Sequence, residues 1–167
     1  MQPTDIAAFA VSKGPGSYTG LRIGVSAAKG LCFSLDLPLI SIPTLTSLAW
    51  QVPEEKSTFI VPLLDARRME VYTAGFTAAK EQIFDTRAEI LEPNSFAKYL
   101  DKGTVTFIGS GVEKFRNICG HENARFMEGK LPSAQEMVPL AEIKFQKRDF
   151  EDVAYFEPYY LKDFMVG

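Results

Sequence analysis

The chain has 167 residues, 46% of them hydrophobic, and a formal net charge of −3. A chain of this size buries about 70% of its unfolded surface, as one domain or as two small ones. No run of about 18 apolar residues is present to span a membrane, and Met1-Gln2-Pro3-Thr4-Asp5 has no basic segment leading into an apolar one, so a cytoplasmic protein with no membrane contact is expected. The acidic balance gives no field for collecting phosphates along a nucleic acid, which makes any contact with RNA indirect, through another protein. Cys32 and Cys119 read as buried free thiols rather than as a disulfide.

Residues 6–11 form a short apolar run that predicts a strand. Lys13-Gly14-Pro15-Gly16-Ser17-Tyr18-Thr19-Gly20-Leu21-Arg22-Ile23-Gly24 follows, a glycine-rich loop running straight into a helix expected over 17–35. Ser17 or Thr19 can cap its start, where backbone N–H groups lack partners. Asp36-Leu37-Pro38 ends it, residues 39–42 predict a second strand, and a short helix is expected over 45–51 beyond Pro43. Short apolar strands alternating with helices point to a parallel sheet. Pro53-Glu54-Glu55-Lys56-Ser57 reads as a connector.

Residues 59–64, 70–76 and 82–91 then predict three successive strands of an antiparallel meander, the first two joined by a tight turn at Ala66-Arg67-Arg68-Met69. A helix is expected from Glu92-Pro93 to residue 100, proline suiting a first helical turn. A strand over 105–108, a helix over 112–118 and a short strand near 125–127 come next. Ser133-Ala134-Gln135-Glu136 has the spacing of a capping box and predicts a last helix to about residue 147. By element type, residues 1–54 read βαβα and residues 55–167 read βββαβαβα. The expectation is two related α/β units, 1–54 truncated and 55–167 complete, leaving their strands through Val11-Ser12-Lys13-Gly14 and Ile108-Gly109-Ser110-Gly111.

The glycine loop invites a phosphate-binding reading, which its spacing opposes. A Walker loop ends in Gly-Lys-Ser/Thr, where this chain has Gly20-Leu21-Arg22, and the dinucleotide spacing G-x-G-x-x-G is absent. Each helical glycine costs roughly 1 kcal/mol against alanine. At 100° per residue Gly20, Gly24, Ala27, Ala28 and Leu31 share a smooth face, with Arg22, Ser26 and Lys29 opposite. Such a face admits a neighbouring helix or strand at short range, either within the chain or from another chain.

Asp65 and Glu70, in Leu64-Asp65-Ala66-Arg67-Arg68-Met69-Glu70-Val71-Tyr72, read as a catalytic carboxylate pair, as a magnesium site, or as a hairpin tip whose charges pair with each other. The only histidine, His121, rules out any two-histidine metal site built from this chain alone. Cys119-Gly120-His121-Glu122 reads as a turn, and Tyr155-Phe156-Glu157-Pro158-Tyr159-Tyr160-Leu161 as an extended aromatic segment that docks on the body or faces a partner.

The glycine loop, Asp65-Ala66-Arg67-Arg68-Met69-Glu70-Val71-Tyr72 and Glu157-Pro158-Tyr159-Tyr160-Leu161, in that order, resemble the signatures of the TsaB (YeaZ) family. The resemblance implies an actin-like ATPase fold of two ribonuclease H-like units. It implies a non-catalytic scaffold role, without a cofactor, in making threonylcarbamoyladenosine in tRNA, as partner of a TsaD-like catalytic subunit that carries the metal-binding histidines. A homodimer is implied where that partner is absent, and a TsaE-like ATPase is reached through the complex. The helix from Ser17 onward then belongs to the pairing surface, with Gly20, Arg22, Gly24, Ala27, Ala28 and Leu31 as interface candidates. Family members begin about fifty residues earlier, so a fragment or a misplaced start is expected, with weak or no ATP binding. The competing expectation is an ATPase or sugar-kinase-like enzyme of the actin-like superfold, with Asp65 or Glu70 near a metal.

Overall fold

A computed structural model of the chain describes residues 5–162. The elements are β1 (Phe9–Gly14), α1 (Tyr18–Leu35), β2 (Leu39–Pro43), α2 (Thr44–Ala49), β3 (Phe59–Asp65), β4 (Glu70–Thr77), β5 (Gln82–Ile90), α3 (Ala97–Leu100), β6 (Val105–Ile108), α4 (Val112–Arg116), β7 (Ala124–Met127) and α5 (Val138–Gln146). Their order is the one expected from sequence. Contacts divide the chain into one unit of Met1–Thr44 with Ala134–Gly167 and a second of Leu45–Ser133.

In the first unit β1 and β2 pair in parallel, Phe9 opposite Leu39 and Ser12 opposite Ile42. Ala28 and Cys32 of α1 pack with Leu39, joined by Phe9, Val11, Val153 and Phe156. On β2, Lys144 of α5 donates from Nζ to the Ser41 carbonyl at 3.1 Å. Beyond α5 the chain runs back along the unit as a strap. Glu151 N–H donates to the Leu39 carbonyl at 2.8 Å and Tyr159 N–H to the Lys13 carbonyl at 2.7 Å. Between them, Lys29 Nζ donates to the carbonyls of Ala154 at 3.1 Å and Phe156 at 2.8 Å. The aromatic segment thus docks on the body through its backbone.

The second unit is a five-stranded sheet in the order β5-β4-β3-β6-β7. The β3–β4–β5 meander is antiparallel, as expected, while β3 with β6 and β6 with β7 are parallel. The two-residue period of β3 sends its side chains to two cores. Ile60 and Leu64 join Leu45, Leu48, Ala49 and Val52. Val61 and Leu63 join Phe96, Leu100, Phe107, Val112 and Phe115 on the other face.

The structure departs from the sequence reading at three places. The compact units do not follow the 1–54 and 55–167 boundaries. The apolar side of α2 is sealed in the second unit by Ile60, Phe76 and Ile108, and α5 with its strap is bonded to β2 of the first. The capping box does not start the last helix either. Gln135–Met137 is a 3-10 turn and α5 begins at Val138, with no side-chain cap bond at either start. A helix begun at residue 134 would carry Pro139 in its interior, against the residue 135 carbonyl, whereas in a first turn its missing N–H costs nothing. The helix expected after Pro93 likewise starts later, at Ala97, because Phe96 adopts φ 63° and no L-residue continues a right-handed helix from there.

Candidate partner interface

Helix α1 is the longest helix described, and it carries three glycines, Gly20, Gly24 and Gly30, within its span. Its start is secured locally: Ser17 Oγ accepts from the Gly20 N–H at 3.3 Å. Its end turns at Asp36, φ 52°, whose N–H returns to the Cys32 carbonyl. The side facing its own sheet carries Val25, Ala28 and Cys32, all buried. The opposite side stays uncovered within the chain, with Ile23 66%, Leu31 46% and Phe33 85% exposed.

The helical glycines have no explanation inside the chain. A methyl group on Gly24 would lie 4.0 Å from Val11 Cγ2, one on Gly20 3.4 Å from Ser17 Cβ, and one on Gly30 would meet nothing within 4 Å. Each is ordinary or open space. Gly14 is the contrast: at φ 108°, with the Tyr159 carbonyl oxygen 2.7 Å from where a Cβ would sit, only glycine fits.

Of the candidate residues read from sequence, the structure brings Gly20, Ala27 and Leu31 to the uncovered side. Ala28 turns into the core, and Gly24 lies half-buried at the flank. Arg22 lies on the other flank, its guanidinium 4.9 Å over the Tyr18 ring, and Tyr18 packs on Tyr160 with centroids 4.8 Å apart. Ile23, Gly30 and Phe33 complete the uncovered surface. They fall outside the face drawn through the smallest residues, because the open side is centred opposite Val25, Ala28 and Cys32.

The other cluster singled out from sequence lies at the carboxyl ends of β3 and β6. Asp65 Oδ1 accepts from Lys114 Nζ at 2.7 Å and from the Arg67 N–H at 2.7 Å. Asp65 N–H donates to Ser110 Oγ at 3.0 Å, and Gly111 N–H donates to the Leu63 carbonyl at 2.8 Å. Gly109, at φ 115°, is required there, because a Cβ would lie 2.5 Å from the Leu63 carbonyl oxygen. Partial burial pushes the Asp65 carboxyl upward, but the Lys114 ammonium and the Arg67 N–H outweigh it and hold the group below the usual carboxylate range. Among the described residues no three His, Cys, Asp or Glu side chains gather as a metal-ligand set. Asp65 is thereby engaged in fixing the hairpin to α4.

Among the described residues no helix is long and apolar enough to cross a membrane. Residues 1–165 match the family described as TsaD: tRNA N6-adenosine threonylcarbamoyltransferase. The chain is 31% identical to the tRNA threonylcarbamoyladenosine biosynthesis protein TsaB of Escherichia coli (strain K12), over 96% of this chain and 72% of that protein. It is 30% identical to the protein of the same name from Haemophilus influenzae, over 93% of this chain and 70% of the relative. YeaZ from Pseudomonas aeruginosa superposes with a TM-score of 0.78 at 25% identity, covering 96% of this chain and 76% of that one. A second solved structure, described as an uncharacterized protein with similarity to peptidase YEAZ from Pseudomonas aeruginosa, gives a TM-score of 0.79 at 23% identity, which speaks to the fold. The α/β fold is thus the actin-like, ribonuclease H-like one, and with likeness of this extent in both sequence and structure the chain belongs to the TsaB (YeaZ) family.

Proposed function

We propose that this chain is a non-catalytic partner subunit in tRNA threonylcarbamoyladenosine biosynthesis, and that it binds a TsaD-like catalytic subunit through the uncovered side of α1. The observation that carries this reading is the set of helical glycines that the chain's own packing does not require, beside Ile23, Ala27, Leu31 and Phe33 on an open surface. Small residues let a second backbone approach closely, and the flanking apolar side chains supply buried area. In the absence of that partner a second copy of the chain uses the same face. RNA is held by the catalytic subunit, consistent with a net charge of −3 on this one. The single histidine offers no two-histidine zinc set, and its ring nitrogens face Asp101 Oδ1 at 3.4 Å and the Asn123 N–H at 3.1 Å rather than a serine or cysteine, which speaks against the peptidase chemistry named in one relative's description.

The test is binding to the TsaD-like subunit of the same organism by biolayer interferometry. Ala27→Arg places a long cation on the open side of α1 and is expected to weaken binding by about tenfold or more, with a change in folding stability within about 0.5 kcal/mol. Unchanged binding by a well-folded variant overturns the interface. ATP hydrolysis by the chain alone overturns the non-catalytic reading.

A further inference from the structure

We infer that the tip of the β3–β4 hairpin is a second docking surface, shaped for an acidic protein surface with an apolar contact beside it. The turn is closed by Ala66 N–H donating to the Glu70 carbonyl and Glu70 N–H donating to the Arg67 carbonyl, each at 3.0 Å. Inside it Arg67 and Arg68 stand consecutively at φ 72° and φ 45°. Glycine and asparagine occupy such left-handed positions with less strain. Arginine at both positions keeps a strained backbone for the sake of its side chain, and strain of this kind marks functional surfaces.

Both arginines are exposed, and neither guanidinium has a hydrogen bond or ion pair among the described residues. Carboxylates nearby are already engaged: Asp65 by Lys114 and the Arg67 N–H, and Glu89 by Arg87 at 2.6 Å. The two positive charges are left for a partner. Beside them Met69 and Ile90 are exposed, drawn together by the Leu91 N–H donating to the Met69 carbonyl at 2.7 Å. Arginine and methionine with an open aliphatic neighbour is the make-up of a protein–protein contact centre. A nucleic-acid backbone is favoured by a broad basic field, which an isolated pair beside apolar side chains on a net acidic chain does not supply. Carboxylates pair with guanidinium in two-pronged fashion, and an apolar side chain of the same partner covers Met69 and Ile90.

The probes follow from the proposed function, on which this inference rests for its choice of partners. The full chain, as wild type and as R67E/R68E, is titrated with the TsaD-like subunit, the TsaE-like ATPase and an unmodified tRNA transcript of the same organism. Affinity for one of the two protein probes is expected to fall by about tenfold or more on charge reversal, and wild-type affinity for that probe to weaken as salt rises from about 50 to 300 mM. Arg67→Gly with Arg68→Asn removes the guanidiniums and relieves the backbone; it is expected to lose the same binding with an equal or higher thermal midpoint. Affinities for both proteins within about twofold of wild type, or a loss confined to the tRNA transcript, overturn the inference. A lowered midpoint with binding retained does so as well, since the arginines then serve the turn. Failure of the α1 interface shows instead in Ala27→Arg, which leaves the hairpin tip intact.

Discussion

At Asp65 a motif residue that invites a catalytic reading turns out to be tied on several sides. Its carboxylate receives an ammonium and a backbone N–H while its own N–H is given to Ser110. The consequence is measurable through pH. An unfolded aspartate titrates near pH 3.9 and the folded group lies lower, so its stabilising contribution is fully present above about pH 4 and is lost as pH falls through the folded value. The side chain is 44% exposed, which keeps the effect small. Asp65→Asn is expected to lower the thermal midpoint at pH 7 by about 1–3 °C, with the gap to wild type narrowing in melts taken at pH values below about 4. A gap that stays the same size contradicts the pairing. Sequence alone placed Asp65 and Glu70 at a strand turn but could not choose between ligand, catalyst and structural pair. That choice depends on Lys114 and Ser110, which lie more than forty residues away and arrive only when β6 pairs beside β3.

At the scale of elements, α1 carries the clearest disagreement between local preference and observed structure. Nothing in the chain stands within 4 Å of a Cβ built on Gly30, so Gly30→Ala is expected to stabilise the isolated chain by about 1 kcal/mol, raising its thermal midpoint by about 2–4 °C in urea-free buffer. Gly14→Ala is expected to do the reverse, because it sets a Cβ against the Tyr159 carbonyl at an unfavourable φ. A lowered midpoint for Gly30→Ala would show that the Gly30 face is already covered. Elements bounded by glycine, proline and strong alternation were readable from sequence: β6 spans Val105–Ile108, as the apolar run suggests. The start of α5 was not, since two local signals competed there and the proline prevailed over the serine. The orientation of α1 was legible only in part. Small residues mark both a helix face that packs inward, as Ala28 does, and one left open, as Ala27 is.

For the whole molecule, the family and the order of elements were legible in the sequence, while the division into compact units was not. Sequence order suggests a cut near residue 54, whereas α2 and α5 each pack in the unit a linear reading would deny them. Such exchanges depend on which apolar face finds cover, a long-range property that local pattern does not encode. Leu45–Ser133 is continuous and holds both cores of the five-stranded sheet. A fragment of residues 45–133 is therefore expected to unfold cooperatively on heating, by circular dichroism, whereas residues 5–44 alone are expected to show no transition. A featureless melt for the first fragment would show that its sheet needs the rest of the chain.

The strap of residues 151–159 extends this difference from space into time. During synthesis the second unit has its whole sheet available once residue 133 has emerged, but β1, α1 and β2 wait for carbonyl and amide partners more than a hundred residues downstream, at Glu151 and Tyr159. Throughout that interval the ribosome carries a half-covered first unit tethered to one that can already fold, and loop closure over that distance sets the pace of completion. Nascent chains halted just before residue 151 should be the form most in need of chaperones.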